Sequence, residues 1–355
     1  MISVLICTFN SCHVLPACLQ ALEKQTCGPL EVVIVDNASG DGTRDLLARL
    51  QPPTYQVLLN EKNMGFAAAQ NQAIRRARGE WLCSLNADVV LSPDFFSQLL
   101  HAAERDDSLG SLCGKLLRWN PGGEPEFTSR IDSTGIYFTR SLRHFDRGGE
   151  EMDQGQYQEM QYVFGATGAA ALYRRAMVED ISVEGEFFDE DFFAYREDAD
   201  LAWRAQLLGW KCLYVPAAVG WHERRVTPER FWQLPLVINW HSVKNRFLMR
   251  LKNATLGTCL RLFLPVTFRD LTIIGYSLVG DRRFLSAFAF VWKNRKRTLR
   301  KRRLIQARRR IGEAEIRSWF RNTPEARAVE TPAPASPAHP DAEPGRGCEK
   351  GTPSF

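Results

Sequence analysis

Nowhere does this chain carry the roughly 20 uninterrupted apolar residues that a helix needs to cross a bilayer. Residues 255–280 come closest, and Arg261, Arg269 and Asp270 interrupt them. A secretory leader is not legible either: Met1 leads straight into the strand-like Ile2-Ser3-Val4-Leu5-Ile6, with no basic segment and no small-residue cleavage site. Although there are nine cysteines, no two form C-x-x-C and none cluster with the six histidines as zinc ligands would. Several lie in apolar runs, so they are expected to be buried, reduced thiols of a cytosolic protein. No Ser-His-Asp or Cys-His arrangement suggests a protein nucleophile.

What is present suits a globular enzyme. Apolar residues make up 45% and charged residues 25% of 355, enough for a sheet with helices on both faces. The net charge of +5 is placed unevenly, because residues 293–310 are more than half Lys and Arg and contain no acid.

Short β-type runs alternate with helical ones up to about residue 120. Strands are expected at 2–8, 31–36, 55–59 and 80–85, with helices at 15–24, 43–50, 66–77 and 93–104. Such alternation predicts a mostly parallel sheet with right-handed crossovers. Polar groups gather just after the strands, at Thr8-Phe9-Asn10, Asp36-Asn37-Ala38-Ser39 and Asn86-Ala87-Asp88. Ligands of open α/β sheets bind at those carboxyl ends, so the three clusters point to one crevice. Residues 122–161 read as a loop-rich insertion, 162–223 as a compact segment with a strand at 210–215, and 228–292 as helical and aromatic-rich. From about Thr323 the Pro-, Ala- and Glu-rich composition predicts a disordered tail.

Four constellations carry chemistry. In Val35-Asp36-Asn37-Ala38-Ser39-Gly40-Asp41-Gly42-Thr43, a strand-end acid is placed to hold a base or ribose hydroxyl; the same residues also make an ordinary turn. Leu85-Asn86-Ala87-Asp88 offers a carboxylate for Mg²⁺ or Mn²⁺ bridging a diphosphate, or again a turn. Glu197-Asp198-Ala199-Asp200-Leu201 stacks three acids at a helix start. The helix dipole and an i,i+4 pair with Arg204 account for Asp200 and Glu197, less well for Asp198. In Gly220-Trp221-His222-Glu223, His222 is either a solvated histidine or a metal or phosphate contact.

Taken in order, these motifs resemble glycosyltransferase family 2, the inverting transferases of the GT-A fold. The resemblance runs from Val4-Leu5-Ile6-Cys7-Thr8-Phe9-Asn10 through Asn63-Met64-Gly65-Phe66-Ala67-Ala68-Ala69-Gln70-Asn71 to Leu85-Asn86-Ala87-Asp88. It continues in the long run from Phe188-Asp189-Glu190-Asp191 to Trp203-Arg204, which looks most like the bacterial rhamnosyltransferase branch, and ends near His222. The resemblance implies a Rossmann-like, mostly parallel central sheet flanked by helices, with a C-terminal helical extension. It implies a catalytic domain over 1–227, divided into a nucleotide-sugar half (1–120) and an acceptor half (121–227). A basic helical region (228–322) and the tail (323–355) would follow.

It also implies roles. Thr8, Asn10, Asp36, Asn37, Gly65, Asn71 and Asn86 would line the nucleotide-sugar pocket. Asp88, with His222, would bind Mg²⁺ or Mn²⁺, and Asp198 would be the catalytic base. Asn86 stands where the family's D-x-D motif has its first acid, leaving one strong carboxylate there. The donor would be a nucleotide sugar, of dTDP-rhamnose or UDP-sugar type. The acceptor would be a saccharide or lipid-linked saccharide of the cell envelope. Apolar helices at 255–280 and 284–292, with the basic run at 293–310, would hold the enzyme on the inner face of the cytoplasmic membrane. Two other readings of the chain are a non-catalytic nucleotide-sugar binder and a nucleic-acid binder using 293–310, though no nucleic-acid motif accompanies that run. A nucleotidyl- or phospho-sugar transferase on a similar sheet is the nearest enzymatic alternative.

Overall fold

The computed structural model describes residues 1–50, 55–120, 126–224, 236–324 and 326–329. Its first third follows the expected alternation: β1 (Ile2–Thr8), α1 (Leu15–Glu23), β2 (Leu30–Asp36), α2 (Thr43–Leu47), β3 (Tyr55–Leu59), α3 (Phe66–Arg76), β4 (Trp81–Asn86), β5 (Val89–Leu91) and α4 (Phe95–Ala103). β3, β2, β1 and β4 lie side by side and parallel. Their alternating apolar residues fill both faces. Val4, Ile6, Val32 and Ile34 pack with Leu15, Phe95 and Phe96 on one side, and Leu5, Val33 and Val35 pack with α3 on the other. The strand order turns about β1, with β2 on one side and β4 on the other, which opens a crevice at their carboxyl ends.

The sheet then becomes mixed. β6 (Leu109–Asn120), β7 (Glu126–Ser133), β8 (Ile136–Phe138), β9 (His144–Asp146), β10 (Gln161–Val163) and β11 (Ala170–Arg174) follow. β11 runs antiparallel between β4 and β6. The segment expected to be a loop-rich insertion thus contains strands: β7 extends the sheet beside β6, and β8 and β9 form their own hairpin. Its Gly, Asp, Arg and Ser content hid the short alternations, because polar side chains occupy the sheet faces there.

α5 (Arg175–Ile181), α6 (Glu197–Leu207) and β12 (Lys211–His222) complete the sheet-bearing part. β12 is twice the expected length. It runs parallel to β6 with a register shift between Val215 and Val219, where Pro216 cannot donate to the ladder. β5 pairs antiparallel with its end, setting His222 opposite Val89.

The C-terminal part is helical, as expected: α7 (Leu236–Asn253), α8 (Leu256–Arg261), α9 (Phe263–Val279), α10 (Leu285–Lys293), α11 (Arg295–Ala307) and α12 (Glu313–Ser318). A buried charge network fastens it to the sheet-bearing part. Lys252 pairs with Asp189 and, at 2.9 Å, with Asp200, while Lys301 reaches Asp189 at 2.6 Å. Asn253 donates to Asp200 at 2.7 Å, and Arg204 pairs with it at 3.1 Å, as the i,i+4 spacing implied. Much of the basic run is therefore spent internally. Arg297, Arg300, Lys301, Arg309 and Arg310 pair with Glu186 and Asp191, Glu184, Asp189, Glu313 and Asp180. Five of the run's eleven cations are thus paired within the fold, Arg309 with Glu313 of α12 and the other four with acids at 180–191. α8 and α9 differ, exposing Leu256, Leu260, Phe263, Leu264, Phe268, Leu271 and Val279. Among the described residues no helix is long and apolar enough to cross a membrane.

Part of the segment expected as a tail from about Thr323 is ordered. β13 (Arg327–Ala328) pairs with β10, and Arg327 lies 3.8 Å over the Trp319 ring. The rest of that prediction, 330–355, lies outside the described residues, as does the expected start of the helical region at 228.

Candidate active site

Two cavities meet at the carboxyl ends of β1 and β4. The smaller, about 400 Å³, is lined by Asn10, Asn37, Gly65, Asn86 and Asp88 together with Phe193 and Tyr195. The larger, about 1150 Å³, holds Asp198, His222, Glu197 and Arg224 and is closed on its far side by α7 and α9. Phe66, Asn86, Asp88, Ala194, Tyr195 and Ile238 line both and form the shared wall.

On the small side, Gly65 adopts φ +86°, and a Cβ there would sit 2.6 Å from the Phe193 ring. Asn37 donates to the Gly65 carbonyl at 3.1 Å, fixing the entry to α3. Thr8 and Asp36 do not line the cavity surface. Asp36 is fully buried, accepting from Thr8 at 3.0 Å, from Ser39 and from Arg44 at 2.8 Å. Burial opposes ionisation of Asp36, yet the bonds from Ser39, Arg44 and Thr8 hold its carboxyl below the usual range. Asn71 is likewise turned inward, where it exchanges both amide bonds with the backbone of Phe188, at 2.7 and 3.0 Å. Of the seven residues expected at the nucleotide sugar, the structure gathers Asn10, Asn37, Gly65 and Asn86 at the cavity and sets Thr8, Asp36 and Asn71 behind it.

Asp88 and His222 come together because of the β5–β12 pairing. His222 Nε2 lies 3.4 Å from Asp88 Oδ1, and Nδ1 lies 2.8 Å from Asp132. Burial alone would lower the imidazole pKa, but Asp132 and Asp88 override it and push it up to about 10. The Asp88 turn is pinned by its carbonyl, which accepts from Trp119 Nε1 at 2.9 Å and from the Glu223 amide at 3.0 Å. Once the imidazole gives up its proton, a histidine steered by a buried carboxylate toward a second carboxylate is a donor set that fits Mg²⁺ or Mn²⁺. Asp132, on β7, is the residue that sequence reasoning missed. It sits in the stretch read as loop, and no local pattern marks a carboxylate whose partner is 90 positions away. Arg224, which pairs with Asp132 at 3.3 Å and with Asp146, was legible only as a neighbour of His222.

Asp198 occupies the first turn of α6, facing the large cavity. Its two oxygens accept from the Gly168 and Ala199 amides, at 3.1 and 2.7 Å. Burial raises its pKa despite those bonds. Glu197 beside it is pushed up to about 8 by burial and by the Asp198 charge. The approach to α6 is strained: Phe193, Tyr195 and Arg196 all have positive φ, 65°, 69° and 71°. Asn245 on α7 holds this segment, its fully buried amide donating to the carbonyls of Phe192, Ala194 and Tyr195 at 2.9, 2.9 and 2.7 Å. The three acids of the helix start thus separate by function of environment. Asp200 is tied to cations, while Asp198 keeps no carboxylate-neutralising ion pair among the described residues.

The chain is similar in sequence to several bacterial proteins. EpsH of Bacillus subtilis (strain 168), named as a glycosyltransferase, is 24% identical over 202 residues, 55% of each chain. A PGL/p-HBAD biosynthesis glycosyltransferase of Mycobacterium tuberculosis (strain ATCC 25177 / H37Ra) is 39% identical over 90 residues, 25% of this chain and 35% of that one. The N-acetylglucosaminyl-diphospho-decaprenol L-rhamnosyltransferase of M. tuberculosis (strain CDC 1551 / Oshkosh) is 28% identical over 226 residues, 58% of this chain and 70% of that one. The match thus spans about half or less of the first two relatives' lengths. In fold, the chain is similar to GalNAc-T7 with UDP, GalNAc and Mn²⁺ (TM-score 0.54, 16% identity, 71% of this chain and 48% of that one). It is similar also to S. aureus TarS 1–349 with UDP-GlcNAc (TM-score 0.53, 17% identity, 90% and 89%). These likenesses identify the GT-A architecture. The profile described as Glycosyl transferase family 2 matches residues 3–182, just over half of the sequence, and the chain belongs to that family.

Proposed function

We propose that this protein is an inverting glycosyltransferase that moves a sugar from a nucleotide-diphosphate sugar to a hydroxyl of a saccharide or lipid-linked saccharide. The observation that carries the reading is the pair of joined cavities, with Asp88 on the shared wall and Asp198 only on the larger side. The smaller cavity suits the nucleotide, the larger one the acceptor. Asp198 takes the proton from the acceptor hydroxyl as that oxygen attacks the anomeric carbon and the bond to the diphosphate breaks. Its two backbone bonds aim the carboxylate, and its raised pKa makes it a stronger base than an exposed aspartate. Asp88 and His222 would hold Mg²⁺ or Mn²⁺. Such an ion, when bound, supplies charge neutralisation at the departing nucleoside diphosphate. Thr8, Asp36 and Asn71 act from behind the nucleotide pocket by fixing its loops.

A dTDP-rhamnose-type donor is favoured by similarity to the mycobacterial L-rhamnosyltransferase, and UDP-sugars are the second choice. The exposed apolar side of α8 and α9 supports peripheral attachment to the inner face of the cytoplasmic membrane, consistent with a lipid-linked acceptor. The test is a donor screen with the purified chain, reading released nucleoside diphosphate and the mass of the glycosylated product. Asp198→Asn serves as control. Release from no nucleotide sugar with any saccharide or lipid-linked acceptor would leave the non-catalytic binding reading in its place.

A further inference from the structure

The large cavity is lined by both acids and arginines, and some of the arginines meet no acid within ion-pair distance. Six arginines line it: Arg118, Arg143, Arg196, Arg224, Arg246 and Arg269. Three are neutralised. Arg118 pairs with Asp132 at 2.8 Å, Arg224 with Asp132 and Asp146, and Arg246 with Asp270 at 3.3 Å. The other three have no carboxylate within ion-pair distance among the described residues. Arg143 lies 4.5 Å over the Phe145 ring, Arg196 bonds to Ser242 and to His144, and Arg269 leaves its buried Nε without a hydrogen-bond partner. His144 adds no negative charge. Burial and the surrounding arginines keep it neutral, so its Nδ1 accepts from Arg196.

These three guanidiniums repel one another. Burial lowers the Arg196 pKa to about 9, with Arg246 and Arg143 adding to the effect. Arg143 is lowered by burial and then by Arg269. Like charges gathered from the β8–β9 hairpin, the start of α6 and α9 are costly in the empty site, and an anion placed among them relieves the cost. The cluster lines only the larger cavity. It is therefore separate from the donor diphosphate position beside Asp88 in the reading above. α9 contributes on two faces. Arg269, Thr272, Ile273, Tyr276 and Ser277, at helical spacing, look into the cavity, while Leu264, Phe268 and Leu271 are more than 60% exposed on the outside. An amphiphile would meet both at once, its anionic group inside and its chain along the apolar side.

Resting on the transferase reading, we propose that Arg143, Arg196 and Arg269 form an anion site that holds a phosphate or diphosphate group of the acceptor. The site bonds through planar guanidinium forks, which match phosphate oxygens two at a time. The acceptor hydroxyl would then be delivered to Asp198, two residues beyond Arg196.

The experiment measures binding of farnesyl diphosphate, farnesol and inorganic pyrophosphate to the full chain by calorimetry, in EDTA and phosphate-free buffer. Farnesyl diphosphate is expected to bind, with farnesol weaker by about tenfold or more. Arg143→Gln/Arg269→Gln should weaken farnesyl diphosphate by a similar factor. Should that variant not fold, phenylglyoxal labelling of Arg143 and Arg269 in the wild-type chain takes its place, with farnesyl diphosphate expected to slow it. Tighter binding of farnesyl diphosphate than of pyrophosphate assigns the group to a lipid. Equal, arginine-dependent binding of both keeps the anion site and assigns it to a water-soluble phosphate. Equal binding of farnesol and farnesyl diphosphate, full affinity in the double variant, or unprotected arginines overturns the proposal. Parallel titration with dTDP and UDP, in Mn²⁺ in place of EDTA, separates the two levels. A chain that binds nucleotide but ignores farnesyl diphosphate and pyrophosphate loses only the anion site, whereas one that binds neither nucleotide loses the transferase reading.

Discussion

Asn245→Ala should disable the enzyme from outside its reacting groups. The three carbonyls of Phe192, Ala194 and Tyr195 converge on one amide, so the group facing them must be the NH₂. Its two hydrogens serve three acceptors, one of them shared. Alanine leaves the Ala194 and Tyr195 carbonyls without that partner, while the Phe192 carbonyl keeps the Ala194 amide at 2.8 Å and Lys244 at 3.4 Å. A buried orphan carbonyl costs about 1–3 kcal/mol, and water reaches the half-buried Ala194 and Tyr195, so a total of about 2 kcal/mol is expected. The same bonds hold Phe193, Tyr195 and Arg196 at positive φ, conformations that cost on the order of 1 kcal/mol or more each and relax once released. Because the segment leads directly into Glu197 and Asp198, its relaxation moves the base. Thermal unfolding followed by circular dichroism should show a midpoint lower by roughly 3 °C. Transfer assayed below that midpoint should lose about tenfold or more in kcat, since small displacements of a positioned base cost that much. A variant with wild-type midpoint and wild-type kcat would refute the reasoning, because the clamp would then hold nothing that matters.

Asp198→Asn should abolish transfer while donor affinity stays near wild type, as the amide keeps the shape but takes no proton; a wild-type kcat would move the base to Glu197. Chelation followed by dialysis should remove activity and Mn²⁺ or Mg²⁺ restore it, and Asp88→Ala should prevent the rescue; undiminished turnover in EDTA would reject a metal at Asp88 and His222. Glu197 makes stability depend on pH. Its folded pKa of about 8 exceeds the ordinary 4.5, so between these values the folded state holds a proton that the unfolded state lacks. That stabilisation is complete below pH 4.5 and lost as pH rises through 8, and Glu197→Gln should flatten the urea midpoint between pH 5.5 and 8.5; an unchanged slope would contradict it. In co-sedimentation with liposomes the full chain should bind through α8 and α9, with Leu264→Glu/Phe268→Glu weakening it. Salt should weaken it only partly, since acids of the fold already neutralise much of the basic run; loss of all binding in high salt would point back to that run.

How much of this was legible depended on sequence distance. The strands β1 to β4 and their helices were readable because each buries a local period, and the strand-end polar groups marked the crevice. Asn10, Asn37, Gly65, Asn86, Asp88, Asp198 and His222 all reach the joined cavities from positions named on the sequence. What local patterns could not show was which polar residue faces inward. Asp36 and Asn71 carry side chains suited to a ligand, yet the fold spends them on Ser39, Arg44 and Phe188. The long-range partners were invisible for the same reason. Asp132 joins His222 only because β7, β6 and β12 lie in one sheet, and Asn245 reaches the α6 approach only through helix packing.

In the proposed mechanism one acidic cluster serves both stability and chemistry, and the distribution of charge separates the two. Asp189 and Asp200 lie in the same run as Asp198, and their buried carboxylates are tolerable only because Lys252, Lys301, Arg204 and Asn253 meet them. Separating the C-terminal helices would take Lys252 and Lys301 away together and leave Asp189 buried without a cation, so those helices are bound to the rest of the fold by the cost of separation. Asp198 receives amide bonds and no cation of that kind, and burial keeps its proton affinity high. A lysine placed on Asp198 would lower its pKa and weaken it as a base. The fold therefore has reason to send its cations to the far side of α6 and to hold the approach with a neutral amide, Asn245. The guanidiniums that do enter the cavity belong to a different task, since Arg143 and Arg269 oppose each other and leave room for a charge that the protein does not supply.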